Sequence, residues 1–413
     1  MTDIDLRVAG RRLLILGAGL WQLEYLRRAR ALGVETWATD WSPSAVGRSE
    51  ADHFEPIDVT DVTHTLALAR RARVDGVFTA ADVAVPTAAA VATELGLPGY
   101  SLDLAAVATN KRLMRERTRS AGIRCPEFRC VSSAADARTV AEQMALPVIV
   151  KPVDNCSSRG VRFVRAPLEL APSIDEALTQ SRSREVIVET FLTGTEGSIE
   201  ALVHDGEVII LGVCEKTKSA LPFRFDLELR YPGAYDPAVQ RDIEQLAKQI
   251  VSAFAIEEGI LHIEFLVSDQ TNEVSLIEFA VRGCGSKVVT HLMPALTGID
   301  VTGWLIRRAL GVRDAGIPSP RRGLHGALHF LMFPQGVVSA VRGVDSAASV
   351  PGVIDVCVEA GPGDVIGQVR DGRSRPGHLL VSGQTADDVQ QTIARVRDLV
   401  RVDYADAVGV AAV

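Results

Sequence analysis

The sequence contains no long apolar run. No stretch of about 18 consecutive apolar residues occurs in its 413 residues, so a membrane-spanning helix is not expected. The opening segment MTDIDLRVAGRRLLILG has no extended apolar core ahead of a small-residue cleavage site, which argues against a secretory leader and for a cytoplasmic protein. Basic residues are not in excess. The net charge is −8 and the pI about 5.6, a poor match to a nucleic-acid partner, which needs a basic face. Paired cysteines are missing too. Cys125, Cys130, Cys156, Cys214, Cys284 and Cys357 form no CxxC pair and no Cys/His cluster of zinc spacing, so they read as buried thiols in a reducing compartment. There is no GxxxxGKS/T loop, no internal repeat and no low-complexity tract. What is present is the balance of a soluble globular chain, 47% hydrophobic and 23% charged, long enough for several structural units.

The N-terminal region alternates strand and helix patterns. RLLILG (12–17), VETWATD (34–40) and DGVFTAA (75–81) read as buried parallel strands, with helices after the first and third. Residues 1–104 are therefore expected to form a Rossmann-like unit. The turn GAGLWQ has Gly17 and Gly19 but places Gln22 where a dinucleotide fingerprint has its third glycine, so an NAD(P) site is disfavoured. Residues 103–122 read as one polar helical stretch. ALPVIVKPVDNCSSRGVRFV (145–164) reads as a hairpin with a Gly/Ser tip, and 185–216 as further strands turning at Asp205-Gly206. A helix is expected around 236–254, with Ile243, Leu246, Ala247, Ile250, Val251 and Phe254 on one face. A second hairpin spans 259–283. From about 322 the short strands and final helix read as a small α+β unit packed on the core.

Three segments carry chemistry. In the second hairpin, a turn at Asp269–Asn272 brings Glu264 and Glu278 side by side among apolar neighbours. Burying two like charges together is costly unless a cation neutralises them, and Mg²⁺ prefers one or two carboxylates plus phosphate oxygens. Arg282 adds a fixed cation that suits a phosphate or carboxylate. Lys151 ends a buried strand before the loop DNCSSRGV, a setting in which an ammonium and backbone N–H groups can surround phosphates. Finally, ETFLTGTEGSIE (189–200) offers three carboxylates after an apolar strand, suited to ribose hydroxyls. Read singly, each has an ordinary explanation as a solvated turn or a surface ion pair.

Taken in order, the segments resemble the ATP-grasp superfamily over roughly residues 10–413. The resemblance implies an α/β ATP-grasp fold. Its parts would be a Rossmann-like domain (1–104), a small lid (105–194), and a larger α+β C-terminal domain (195–413) holding metal and substrate sites. It implies that Lys111 and Lys151 contact ATP phosphates beneath a flap at 154–160 that includes Ser157, Ser158 and Gly160. Glu189 and the backbone near Leu192 would meet adenine, and Glu196 the ribose. Glu264 and Glu278 would bind one or two Mg²⁺ ions, and Arg282 would stabilise an acyl phosphate. Many of these enzymes have asparagine two residues after the second metal glutamate; here Ala280 removes that ligand. The pattern Glu-x-Ala-x-Arg and the Gly-rich C-terminal segment resemble the L-amino acid ligases, which make dipeptides.

The implied activity is ATP-dependent amide formation between a carboxylate, an amino acid, and an amine, through an acyl phosphate. Lys216, Arg282, Gly283, Gly285 and His291 are the substrate-side candidates. Small-molecule substrates are expected, with neither nucleic acid nor membrane, and a homodimer is the default assembly. The alternatives are another ATP-grasp acceptor (a carrier-protein thiol, a sugar amine or bicarbonate), an NAD(P)-dependent oxidoreductase, and an inactive nucleotide-binding module.

Overall fold

The computed structural model describes residues 5–156, 159–221, 223–313, 319–320 and 323–405. The first unit is a four-stranded parallel sheet ordered His53–Glu55, Glu35–Thr39, Arg12–Leu16, Gly76–Thr79. Leu13 to Leu16 are all fully buried, as a strand covered on both faces requires. Helices Leu23–Ala31, Val62–Ala72 and Val85–Leu95 flank it. At the carboxyl ends of the strands, two loops, 17–22 and 80–83, point toward the rest of the molecule, where open α/β sheets place their ligands.

The stretch expected as one helix over 103–122 is two, Leu102–Ala108 and Lys111–Ser120. Asn110 breaks it: its extended backbone leaves the helix and its side chain accepts from the N–H groups of Arg112 and Leu113, at 3.0 and 3.2 Å. This cap fixes Lys111 as the first residue of the second helix, and the Lys111 N–H bonds the Val153 carbonyl at the root of the flap. Asn110→Ala should therefore lower stability by about 1 kcal/mol in a urea titration, and Asn110→Asp should restore most of it.

Both of these helices pack into the core of the central domain, where Leu104, Val107 and Met114 join Ile199 and Ile263. A separate small unit starts after them, within the 105–194 stretch expected as a lid. It is an antiparallel sheet ordered Phe128–Val131, Val186–Thr190, Val148–Pro152, Arg162–Val164, with helices Ala137–Gln143 and Leu170–Gln180 closing a separate core around Val148, Val150, Ile174 and Val188.

The central domain is one eight-stranded antiparallel sheet. Its order is Val274–Ala280, Glu258–Ser268, Gly194–His204, Glu207–Lys218, Asp226–Tyr231, His325–Phe330, Gly377–Gly383, Val353–Val358. Three strands beyond residue 322 extend this sheet, and helix Ala386–Leu399 covers them with Val389, Ile393 and Val396, a core cluster drawn wholly from residues past 322. Strands Val365–Ile366, Gly336–Arg342 and Arg401–Tyr404 form a small sheet of their own beside it. Helix Pro237–Ala253 buries the expected face against the sheet. Segments Val288–Leu292, Met293–Thr297 and Val301–Ala309, which the sequence reading passed over, bind the N-terminal unit to the sheet. All six cysteines are free; only Cys214 is fully buried, the rest half-buried. Among the described residues no helix is long and apolar enough to cross a membrane.

Candidate active site

The hairpin of strands Glu258–Ser268 and Val274–Ala280 pairs Glu264 directly with Glu278, with a bulge just after Glu264. Like charges opposite each other on a sheet repel. Each carboxylate here has its own cation: Lys216 Nζ lies 2.9 Å from Glu264, and Lys111 Nζ 3.2 Å from Glu278. Burial opposes the charge on Glu264, but Lys216 and His262 outweigh it and hold the carboxyl well below the usual range. Burial likewise opposes the charge on Lys216, and Asp226 and Glu264 keep it well above the usual lysine value.

Lys151, at the end of strand Val148–Pro152, is buried and lies 2.7 Å from Glu189. Arg115 holds the other Glu189 oxygen at 2.8 Å and also donates to the Ile277 carbonyl, next to Glu278. Burial pulls the Lys151 ammonium below its ordinary pKa, the charge of Arg115 adds to this, and Glu189 only partly offsets it. Lys111, helped by Glu278 against burial, is shifted the other way. The start of the flap is fixed. Asp154 accepts from Ser181, Arg182 and Ser183, and Lys111 Nζ donates to the Asn155 carbonyl at 2.7 Å. Ser157 and Ser158 lie outside the described residues, and Gly160, at φ 71°, sits against Pro152 and Gln180 and is not part of the cleft lining.

These groups line one cleft of about 720 Å³. Lys111, Lys151, Glu189, Leu192, Glu196, Lys216, Glu264, Glu278, Arg282 and Gly285 all face it. Toward one end Glu196 sits between Lys218 and Arg224, at 2.8 and 2.7 Å, and Lys218 also reaches Asp226. At the other end Arg282 forms a bidentate pair with Asp82, at 2.9 and 2.7 Å, which joins the N-terminal unit to the hairpin. Burial opposes the charge of Arg282, and Asp82 more than restores it.

The GAGLWQ turn ends in this cleft. Gly17, at φ 100°, and Gly19 leave room for the Gln22 side chain: a Cβ on Gly19 would lie 3.1 Å from its amide oxygen. Gln22 thus occupies the space that the glycines of a dinucleotide loop leave for a pyrophosphate. Gln22 and Trp21 both line the cleft.

Two substrate-side candidates are not brought to the cleft. Gly283 packs against Val289 and faces a second, mostly apolar cavity of about 530 Å³. His291 lies on the short π-helix Val288–Leu292 with its ring 2.8 Å from the Thr290 hydroxyl, outside the cleft lining, and burial lowers its pKa. Glu200, one of the three carboxylates read as suited to ribose, is instead buried against His262 and the Cys284 N–H, and the sequence reading missed Asp82, Arg115, Asp226 and His262. His262 was legible, since residues two apart on a strand share a face and it precedes Glu264 by two. Asp82 was legible more weakly, as a charge just past the carboxyl end of a parallel strand.

The donor set suits Mg²⁺. Glu264 and Glu278 offer hard carboxylate oxygens from adjacent strands at the floor of a polar cleft, each balanced by a lysine that a divalent cation can replace. Ala280, opposite His262 in the hairpin, adds no ligand.

Comparison with known proteins agrees with this geometry. Residues 144–291 match the ATP-grasp domain family, and residues 26–99 the ATP-grasp N-terminal domain. The chain therefore carries an ATP-grasp domain behind an ATP-grasp N-terminal domain. Its residues 329–405 match the L-amino acid ligase C-terminal domain 2, which places the resemblance within that superfamily. The crystal structure of L-amino acid ligase from Bacillus licheniformis superposes over 96% of this chain and 100% of its own, with a TM-score of 0.82 at 21% identity, a likeness of fold. The chain is 28% identical to the uncharacterized protein y4rH of Sinorhizobium fredii over 76% of its own length and 66% of that protein. It is 27% identical to the carbamoyl phosphate synthase large chain of Methanothermobacter thermautotrophicus, over 78% of its own length but only 32% of that chain.

Proposed function

We propose that the chain is an ATP-dependent ligase that joins an amino acid carboxylate to an amine, a second amino acid, through an acyl phosphate. The observation that carries this is the single cleft in which Glu264 and Glu278 face Lys111, Lys151 and Lys216, with Arg282 beside them. The match to the L-amino acid ligase C-terminal domain supports the amino acid.

In this reading Lys111 and Lys151 bind the phosphates of ATP beneath the 154–160 flap, and Glu189, Leu192 and Glu196 hold the nucleoside. Bound Mg²⁺, at Glu264 and Glu278, would neutralise phosphate charge. The substrate carboxylate attacks the γ-phosphorus, and the β–γ bridge breaks to give acyl phosphate and ADP. Once they have exchanged their carboxylate partners for phosphate oxygens, the lysines would stabilise the negative charge that grows on the transferring group. The amine then attacks the acyl carbon; an amide, phosphate and a proton leave. Arg282, held by Asp82, lies at that end of the cleft to stabilise the oxyanion. Closing the flap would exclude water, which would otherwise hydrolyse the acyl phosphate.

The test is an ATP-dependent phosphate-release screen over pairs of L-amino acids, with mass spectrometry of the products. At least one pair should give a dipeptide with equal amounts of ADP and phosphate. Turnover with a carrier-protein thiol, a sugar amine or bicarbonate, and with no amino acid pair, would replace this reading of the acceptor.

A further inference from the structure

We propose that Glu200 and His262 are positioning residues that hold Glu264 and the loop after Arg282 in one frame. The proposal rests on reading Glu264 as a metal ligand. Glu200 lies on strand Gly194–His204, which has partners on both sides, and its side chain is fully buried. His262 stands directly opposite it in the register, and shares a strand face with Glu264. The His262 Nδ1 is 2.5 Å from one Glu200 oxygen, and its Nε2 is 3.2 Å from Glu264. The other Glu200 oxygen accepts the Cys284 N–H at 3.0 Å.

A buried carboxylate costs several kcal/mol unless its hydrogen bonds are made, and a leucine at this position of an apolar sheet would avoid that cost. Among the described residues Glu200 makes those bonds to two groups, the orienter of Glu264 and the backbone two residues past Arg282. Lys216 also contacts Glu264, but it has Asp226 as a second partner at 3.9 Å and sits on a flexible stem. The imidazole has no such freedom, because Glu200 anchors its far nitrogen. It is therefore the contact that fixes the Glu264 rotamer when the lysines turn to substrate. Glu200, His262 and Cys284 also cluster closely enough to suggest a separate metal site. Both ring nitrogens already face carboxylates, which favours the relay.

The test is Mn²⁺ binding to the full chain with ADP, followed by electron paramagnetic resonance, beside ADP binding without metal. Hydrogen-bonded groups behind metal ligands are typically worth about 10–100-fold in metal affinity, and His262→Asn and Glu200→Gln should each lose that much with metal-free ADP binding little changed. His262→Gln, whose amide can still reach Glu264, should recover part of the loss. Unchanged Mn²⁺ affinity in the variants, with only a lower melting temperature, would overturn the proposal and leave the metal site standing. Wild-type protein that binds no Mn²⁺ would sink the reading of the hairpin as well. Stoichiometric zinc in the purified protein, lost in Glu200→Gln, would replace the relay with a metal site.

Discussion

Glu278→Ala is expected to lower ATP-dependent phosphate release by at least about 10²–10³-fold, the range that removal of a single electrostatic contact costs in preorganised sites. Two effects add. The variant removes half of the carboxylate pair proposed to hold Mg²⁺. It also takes away the partner of Lys111, whose half-buried ammonium would then keep, among the described residues, the Asn155 carbonyl. The fold should survive, because the Glu278 side chain is 30% exposed and its strand keeps its register with Glu258–Ser268. Glu278→Gln separates shape from charge: it preserves volume and should still lose most of the rate. A circular dichroism spectrum like wild type with near-normal turnover in either variant would sink the metal assignment.

Why this pair was legible, and much of its surroundings not, follows from sequence distance. Glu264 and Glu278 are joined by a tight turn, so alternation along two short strands puts them together. The same local rules gave the N-terminal strands and the buried face of helix Pro237–Ala253. They failed at Asn110, whose polar side chain looks like one more helix residue until its backbone leaves the helix to cap the next one. They do not reach the pairing of the strands beyond residue 322, because strand-to-strand pairing is a long-range choice that no window of ten residues carries. Strand His325–Phe330 is built on Asp226–Tyr231, about a hundred residues earlier. The partners of the cleft cations were hidden for the same reason. Arg282 finds Asp82 across 200 residues and Arg115 finds Glu189 across 74. Sequence order named residues that the fold brings to one cleft, and the fold supplied the countercharges that let them be buried there.

Those countercharges set up the second large effect, Lys151→Met. Lys151 is the cleft lysine whose charge is least well supported: burial and Arg115 both weaken it, and only Glu189 answers at close range. It can therefore trade Glu189 for an incoming phosphate at little cost, since Glu189 keeps its bond to Arg115 at 2.8 Å. Methionine fills the volume of the lysine stem and deletes the ammonium. The expected result is about a 10²–10³-fold fall in kcat/KM for ATP. The urea midpoint should move much less than in Arg115→Met, which also strips the Ile277 carbonyl of its donor beside Glu278. Lys151→Arg keeps the charge but replaces a compact ammonium with a broad planar fork whose geometry differs, so it should restore only part of the rate. Full activity in Lys151→Met would remove the lysine from phosphate binding. Full activity in Lys151→Arg alone would mean that the charge matters there and its geometry does not.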